Sequence, residues 1–251
     1  MDNTMYVGLS KQMILRRELD IVANNIANAN TAGFKLESMI TNTDPQYPAR
    51  VDTGPRPVKF ALDGGVARDF SQGPLQQTGV PTDVAIEGQG FFKISTANGE
   101  RYTRDGRFTT DATGRLITQA GDPVLGDGGS EITFDSKGSP PHIGSDGIIS
   151  QQVPGQPAAQ QVGKLAVVRF DDLSVLAKDG SNLLRNISNA DPQAAPDAVV
   201  RQGMIEESNV QPVVEITTLI RINRAYEQIN QMMNNTADLS SRAIQRLGQV
   251  Q

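Results

Sequence analysis

The stretch "ANNIANANTAGFK", residues 23–35, packs the four asparagines Asn24, Asn25, Asn28 and Asn30 into seven positions. Asparagine is a mediocre helix former, because its side chain competes for backbone hydrogen bonds. Yet the residues before it read as helix. Met5, Gly8, Gln12, Leu15, Leu19, Val22, Ile26 and Ala29 follow at alternating steps of three and four. All but Gly8 and Gln12 suit a packed seam. The spacing predicts a helix up to Gly33, placed as a C′ glycine, with Phe34 folding back. The helix end is therefore rich in amide and poor in charge, and that needs a reason.

The other end of the chain carries a second helical stretch. Pro212 suits the first helical position, with Gln211 or Asn209 as cap. Leu219, Ile222, Tyr226, Ile229, Met233, Thr236, Ser240, Ala243, Leu247 and Val250 then keep heptad spacing, and none is charged. Asn223, Asn230 and Asn234 stand on a neighbouring stripe.

Between these ends the chain is heavily punctuated. All 14 prolines lie between Pro45 and Pro212. Glycine is concentrated there too, and both residues break regular helix. The middle reads as all-β. In "DVAIEGQGFFKIS", Val84, Ile86, Phe92 and Ile94 alternate on one face, and "KLAVVRF" at 164–170 is another short strand. Asn98-Gly99, Asp105-Gly106, Asp127-Gly128, Asp146-Gly147 and Asp179-Gly180 favour tight hairpin turns. The proline-rich stretch 41–67 reads as an extended linker, and "SQQVPGQPAAQQ" at 150–161 as a surface loop. The fold class is α+β: terminal helices paired in a coiled-coil-like layer, a central all-β domain and extended linkers. The segments are 1–35 (N-terminal helix), 36–75 (linker), 76–195 (β domain) and 196–251 (return segment and C-terminal helix).

Composition narrows the function. The 251 residues contain no Cys, which excludes disulfides and thiolate metal sites. The net charge of −5 resides in the middle, with near-neutral ends, which argues against nucleic acid and anionic membrane as main partners. "MDNTMYVGLSKQMILRRELD" has no continuous apolar core, so no Sec-type signal peptide is expected. No apolar run is long enough to span a membrane.

Catalytic motifs are weak. His142 is the lone histidine, in "SPPHIG", and has neither a second His nor a Cys for a metal site or triad. The Gly-x-Gly of "EGQGFFK" lacks a third glycine and opens no helix, so it reads as a bend at a strand. "DATGR" and "DGGSEITFD" lack the ligand order of a calcium loop and read as turns. The pair Glu206-Glu207 reads as solvated. No catalytic, cofactor or metal site is expected.

Two readings of the helices remain open. They pack within the chain, or they pair with each other and with other subunits. In the second, charges at a helix contact would be desolvated at several kcal/mol each if unpaired. Amides exchange hydrogen bonds there at a smaller penalty. Asn25, Asn28 and Asn30 would then fix register. The alternative is an exposed, frayed helix end.

These motifs resemble a family. "VANNIANANTAGFK" is similar to the N-terminal signature of flagellar axial proteins of the rod and hook. "FSQGPLQQTGVPTDVAIEGQGFFKI" (70–94), "RYTRDGRFTTDATGRLITQAGDPVLG" (101–126) and "GMIEESNVQPVVEITTLIRINRAYE" (203–227) resemble its later blocks, in order. Length and short linker resemble the proximal rod members most, with the distal rod members as the close alternative. Thr82 departs from the commoner pattern.

The resemblance implies a structural rod subunit that self-assembles into the tubular drive shaft transmitting torque. Its terminal helices would form the layer around a channel. Its partners would be itself, adjacent rod proteins and the flagellar type III export apparatus. It would be exported without signal cleavage to the periplasmic rod of the basal body. The expected assembly residues are Leu15, Leu19, Val22, Asn24, Asn25, Ile26, Asn28 and Asn30 on one helix. On the other they are Leu219, Ile222, Asn223, Tyr226, Ile229, Asn230, Met233 and Leu247. The competing readings are a periplasmic or secreted carboxylate enzyme, such as a wall hydrolase, and a monomeric binding module with its own helical hairpin.

Overall fold

Helix α1 spans Asn3–Ala27 and helix α2 spans Pro212–Gly248, with strands between them, so the chain is α+β. The computed structural model describes residues 3–43, 61–188 and 190–248. Pro212 opens α2, and the Gln211 carbonyl accepts from Val214 N at 3.0 Å and Glu215 N at 3.1 Å. Proline has no N–H to leave unpaired in that first turn. Asn209 is not the cap; its side chain donates to Ser71.

α1 ends earlier than the spacing predicts. After Ala27 the chain makes two tight turns, with Thr31 N on Asn28 O at 3.1 Å and Phe34 N on Thr31 O at 3.2 Å. The Thr31 hydroxyl also donates to Asn28 Oδ1 at 3.2 Å. Local side-chain bonding of this kind competes with the helical ladder. Gly33 therefore caps no helix. It has φ of +68°, and a Cβ there would lie 2.4 Å from Asp105 N.

The chain forms two compact units. The first comprises Met1–Ala27, Leu36–Asp69 and Gln211–Gln251, the second Asn28–Lys35 and Phe70–Val210. In the first, α1 packs against α2 and against an antiparallel hairpin of β1 (Glu37–Thr43) and β2 (Ala61–Arg68). This hairpin corrects the extended-linker reading. Pro45, Pro48, Pro55 and Pro57, which argued against strands, all lie in 44–60, outside the described residues. The flanks have no proline and carry Ile40, Thr41, Thr43 and Val66, branched residues that suit a pleated surface.

The second unit is all-β among its described residues, apart from one 3-10 turn at Leu173–Val175. Its largest sheet orders Leu176–Lys178, Leu184–Asn186, Gly99–Thr103, Phe91–Thr96, Val167–Arg169 and Gln193–Ala194 side by side. Asn98-Gly99 and Asp179-Gly180 turn hairpins within this sheet, and Asp146-Gly147 turns another outside it. Asp105-Gly106 does not. A Cβ on Gly106 would lie 1.6 Å from Val84 O, so this glycine serves close backbone approach. The loop reading of 150–161 shortens, because Ile148–Gln151 and Gln160–Lys164 pair as strands.

Val84, Ile86, Phe92 and Ile94 lie in one buried cluster with Phe108, Leu116, Ile149 and Leu165. The neighbouring Phe91 points the other way, into a cluster with Tyr102, Phe170 and Leu176. Edge-on rings hold both sides, Phe92 to Phe108 at 5.1 Å and Tyr102 to Phe170 at 4.9 Å. The strand Phe91–Thr96 thus has apolar packing on both faces.

Candidate assembly interface

The seam between α1 and α2 is built from the sequence stripes. Leu15, Val22 and Ile222 are buried together, with Leu19, Ile26, Leu219, Tyr226 and Ile229 partly buried against them. Each such side chain, fully buried, contributes about 1.5–3 kcal/mol. Gly8 and Gln12, weak seam residues by type, have specific partners. A Cβ on Gly8 would lie 3.0 Å from Met233 Cγ and Sδ, and Gln12 Nε2 donates to Asn230 Oδ1. Residue 8 meets 233, 12 meets 230 and 25 meets 215, so the helices run antiparallel.

Asn25 sits within this unit at 1 % exposure. Its Nδ2 donates to Glu37 O at 2.8 Å and to Glu215 Oε2 at 3.0 Å, and its Oδ1 accepts from Glu37 N at 3.0 Å. One amide thus joins α1, β1 and the first turn of α2, where the carboxylate of Glu215 also suits the helix N-terminus. Asn25→Ala is expected to cost about 3 kcal/mol, since each buried group left unpaired costs about 1–3 kcal/mol. Urea unfolding of the helical signal reads this, and a loss below about 1 kcal/mol would contradict it.

The other expected residues differ in setting. Asn24 and Asn28 are half-buried, and Asn30 and Asn223 are exposed. Asn230 and Met233 are half-buried, and the Leu247 side chain lies outside the described residues. The seam leaves other apolar residues uncovered. On α1 these are Tyr6, Leu9 and Met13, the last 66 % exposed; on α2, Val213, Val214, Ile220 and Leu239, with Val213 at 78 %. Thr217, Ile220, Arg221, Arg224, Ala225 and Gln228 line an open groove of about 520 Å³ on α2.

In the β unit, Glu206 overturns the solvated reading of the Glu206-Glu207 pair. It is 1 % exposed and faces Lys35 Nζ at 2.5 Å and Arg104 Nη1 at 3.2 Å. Two cations from distant parts of the chain offset the cost of burying the carboxylate. Burial pushes the Arg104 pKa down, and the charge of Glu206 pushes it back up. Lys35 also donates to Ser71 O at 2.6 Å, and Gly73 N donates to Glu206 Oε1 at 3.0 Å. The tail of the asparagine-rich motif is docked beside it: Phe34 is buried under Lys178, and Asn182 Nδ2 donates to Ala32 O at 2.7 Å. His142 is exposed at a strand. The Gly-x-Gly at Gly88 and Gly90 precedes a strand.

Three family descriptions match along the chain. They are flagella basal body rod protein at residues 5–35, flagellar hook protein FlgE/F/G D1 domain at 85–151, and flagellar basal body rod FlgEFG protein C-terminal at 201–246. The flagellar basal-body rod protein FlgF of Caulobacter vibrioides is 58 % identical over 250 residues, covering 100 % of both chains. The chain belongs to the flagellar basal-body rod protein family. FlgF of Mesorhizobium japonicum is 38 % identical over 99 % of both chains, and FlgG of Bacillus subtilis 33 % over 94 % of this chain and 95 % of its own. The FlgF relatives thus match this chain at higher identity than the FlgG relative. The chain is a structural subunit of the flagellar rod, in the basal body, where rod proteins assemble with other rod subunits. The family is structural, and the hydrolase and binding-module readings find no support in it. Among the described residues, no helix is long and apolar enough to cross a membrane.

Proposed function

We propose that the subunit enters the rod through the outer faces of its two helices. The intrachain seam holds α1 and α2 together in coiled-coil fashion, and the apolar residues it leaves exposed receive neighbouring rod subunits. The observation that carries this is the uncovered set Tyr6, Leu9 and Met13 on α1 with Val213, Val214 and Ile220 on α2. Apolar faces of this kind mark interaction sites. In this reading the helices wall a tube that transmits torque, and Asn24, Asn28, Asn30 and Asn223 set polar contacts around it. Family membership supports export by the flagellar type III apparatus, without a cleaved signal, to the periplasmic part of the rod.

The double variant Leu9→Lys/Met13→Lys tests the reading on exposed positions. Surface substitutions cost within about 0.5 kcal/mol each, so the purified protein should melt within a few degrees of wild type. The variant should be absent from isolated basal bodies, and cells carrying it should not swim. Incorporation at the wild-type level would overturn the assembly face.

A further inference from the structure

We propose that Glu206 is a fastener, holding to the β unit both stretches of chain that lead to the helices. One stretch is the connector 28–35 that follows α1; the other is 206–210, which leads into α2. The residue uses main chain and side chain together. Its backbone carbonyl accepts from Gly33 N at 2.7 Å. Its Oε1 accepts from Lys35 Nζ and from Gly73 N, and its Oε2 from Arg104 Nη1. Arg104 donates onward to Ile86 O at 3.2 Å and Gly88 O at 2.6 Å. That carries the tie into the strand Val84–Glu87, which pairs with Val199–Gln202. Segments around residues 33, 73 and 104 thus meet at Glu206 itself, and the segment around 87 joins them through Arg104. The fit is tight: a Cβ on Gly73 would lie 2.1 Å from Glu207 O.

Charge makes the role asymmetric. Removing the anion leaves Lys35 and Arg104 buried without their shared counter-ion, whereas removing Lys35 leaves one balanced pair. A residue that merely filled space would tolerate Glu206→Gln, which keeps the shape. A fastener would not. The use of this tie under torque rests on the assembly reading; the fastening does not, and is tested on the free chain.

The experiment is amide hydrogen exchange on the purified full-length protein. In Glu206→Gln, the amides of Gly33 and Gly73 should exchange at least tenfold faster. Those of Leu116 and Val124, bonded elsewhere in the β unit at 2.9 Å, should change less than twofold. Lys35→Met should raise Gly33 exchange a few-fold and leave Leu116 unchanged. Wild-type exchange at Gly33 and Gly73 in Glu206→Gln would overturn the proposal. If Glu206→Gln loosens all four amides alike, Lys35→Met decides. A rise confined to Gly33 supports the fastener, and an equal rise everywhere, or none, overturns it.

Discussion

Gly33→Ala is expected to lower the melting temperature of the protein by roughly 5–15 °C, with each kcal/mol worth about 2–4 °C at this size. Two costs add. Alanine at φ of +68° is strained by about 1–2 kcal/mol. Its Cβ would also lie 2.4 Å from Asp105 N and 2.5 Å from Arg104 C, backbone atoms that cannot rotate away. Forcing atoms into a packed site costs about 1–3 kcal/mol. Gly79 separates the two, because its φ is +72° but nothing lies within 4 Å of its added Cβ. Gly79→Ala should therefore show the conformational cost alone. Differential scanning calorimetry of both variants checks this, and equal shifts would remove the close-approach argument for Gly33.

The second large effect is expected at Ile222, at 3 % exposure the most buried apolar residue among the described side chains of α2. Trimming such a side chain to alanine costs about 2–5 kcal/mol, and a carboxylate in its place adds the burial of an unpaired charge. Ile222→Asp should undo the seam with Leu15 and Val22. The β unit keeps its own cluster around Phe92 and Ile94 and should stay folded. The readout is a loss of most helical circular dichroism at 222 nm, a wavelength set by the peptide group, with a protease-resistant β fragment surviving. Retention of the full helical signal would show that the seam does not depend on this residue. A variant that still enters basal bodies would break the link between seam and rod.

The helices were legible because their apolar residues keep one period over many turns, which few other structures do. The two-sided strand was half legible. Alternation placed Val84, Ile86, Phe92 and Ile94 on one face, but gave no reason for Phe91 to be buried on the other. Glu206 was missed because its partners lie 171 and 102 residues away, and no local pattern points to them. A faint signal existed: Glu206, Ser208 and Val210 are buried at alternate positions, but two of the three are polar. The asparagines show the same limit. Their density marked the segment, yet Asn25 satisfies its amide on Glu37 and Glu215 inside the chain, while Asn30 faces solvent. The sequence reading assigned Asn25, Asn28 and Asn30 one role, fixing register between helices. The turn at Asn28, which ends α1, separated them.

The unequal lengths of the two helices have a mechanical meaning. α2 runs from Met233 on to Gly248, while α1 begins at Asn3, close to the Gly8 that meets Met233. At about 1.5 Å per residue, α2 projects some 15 Å past its companion. At that end α2 is a peg beside the shorter α1, and at the opposite end, where Asn25 meets Glu215, both helices lead into the rest of the chain. The pair is therefore polar along its axis, and in the rod assembly proposed above stacked copies would leave a free peg at one tip alone.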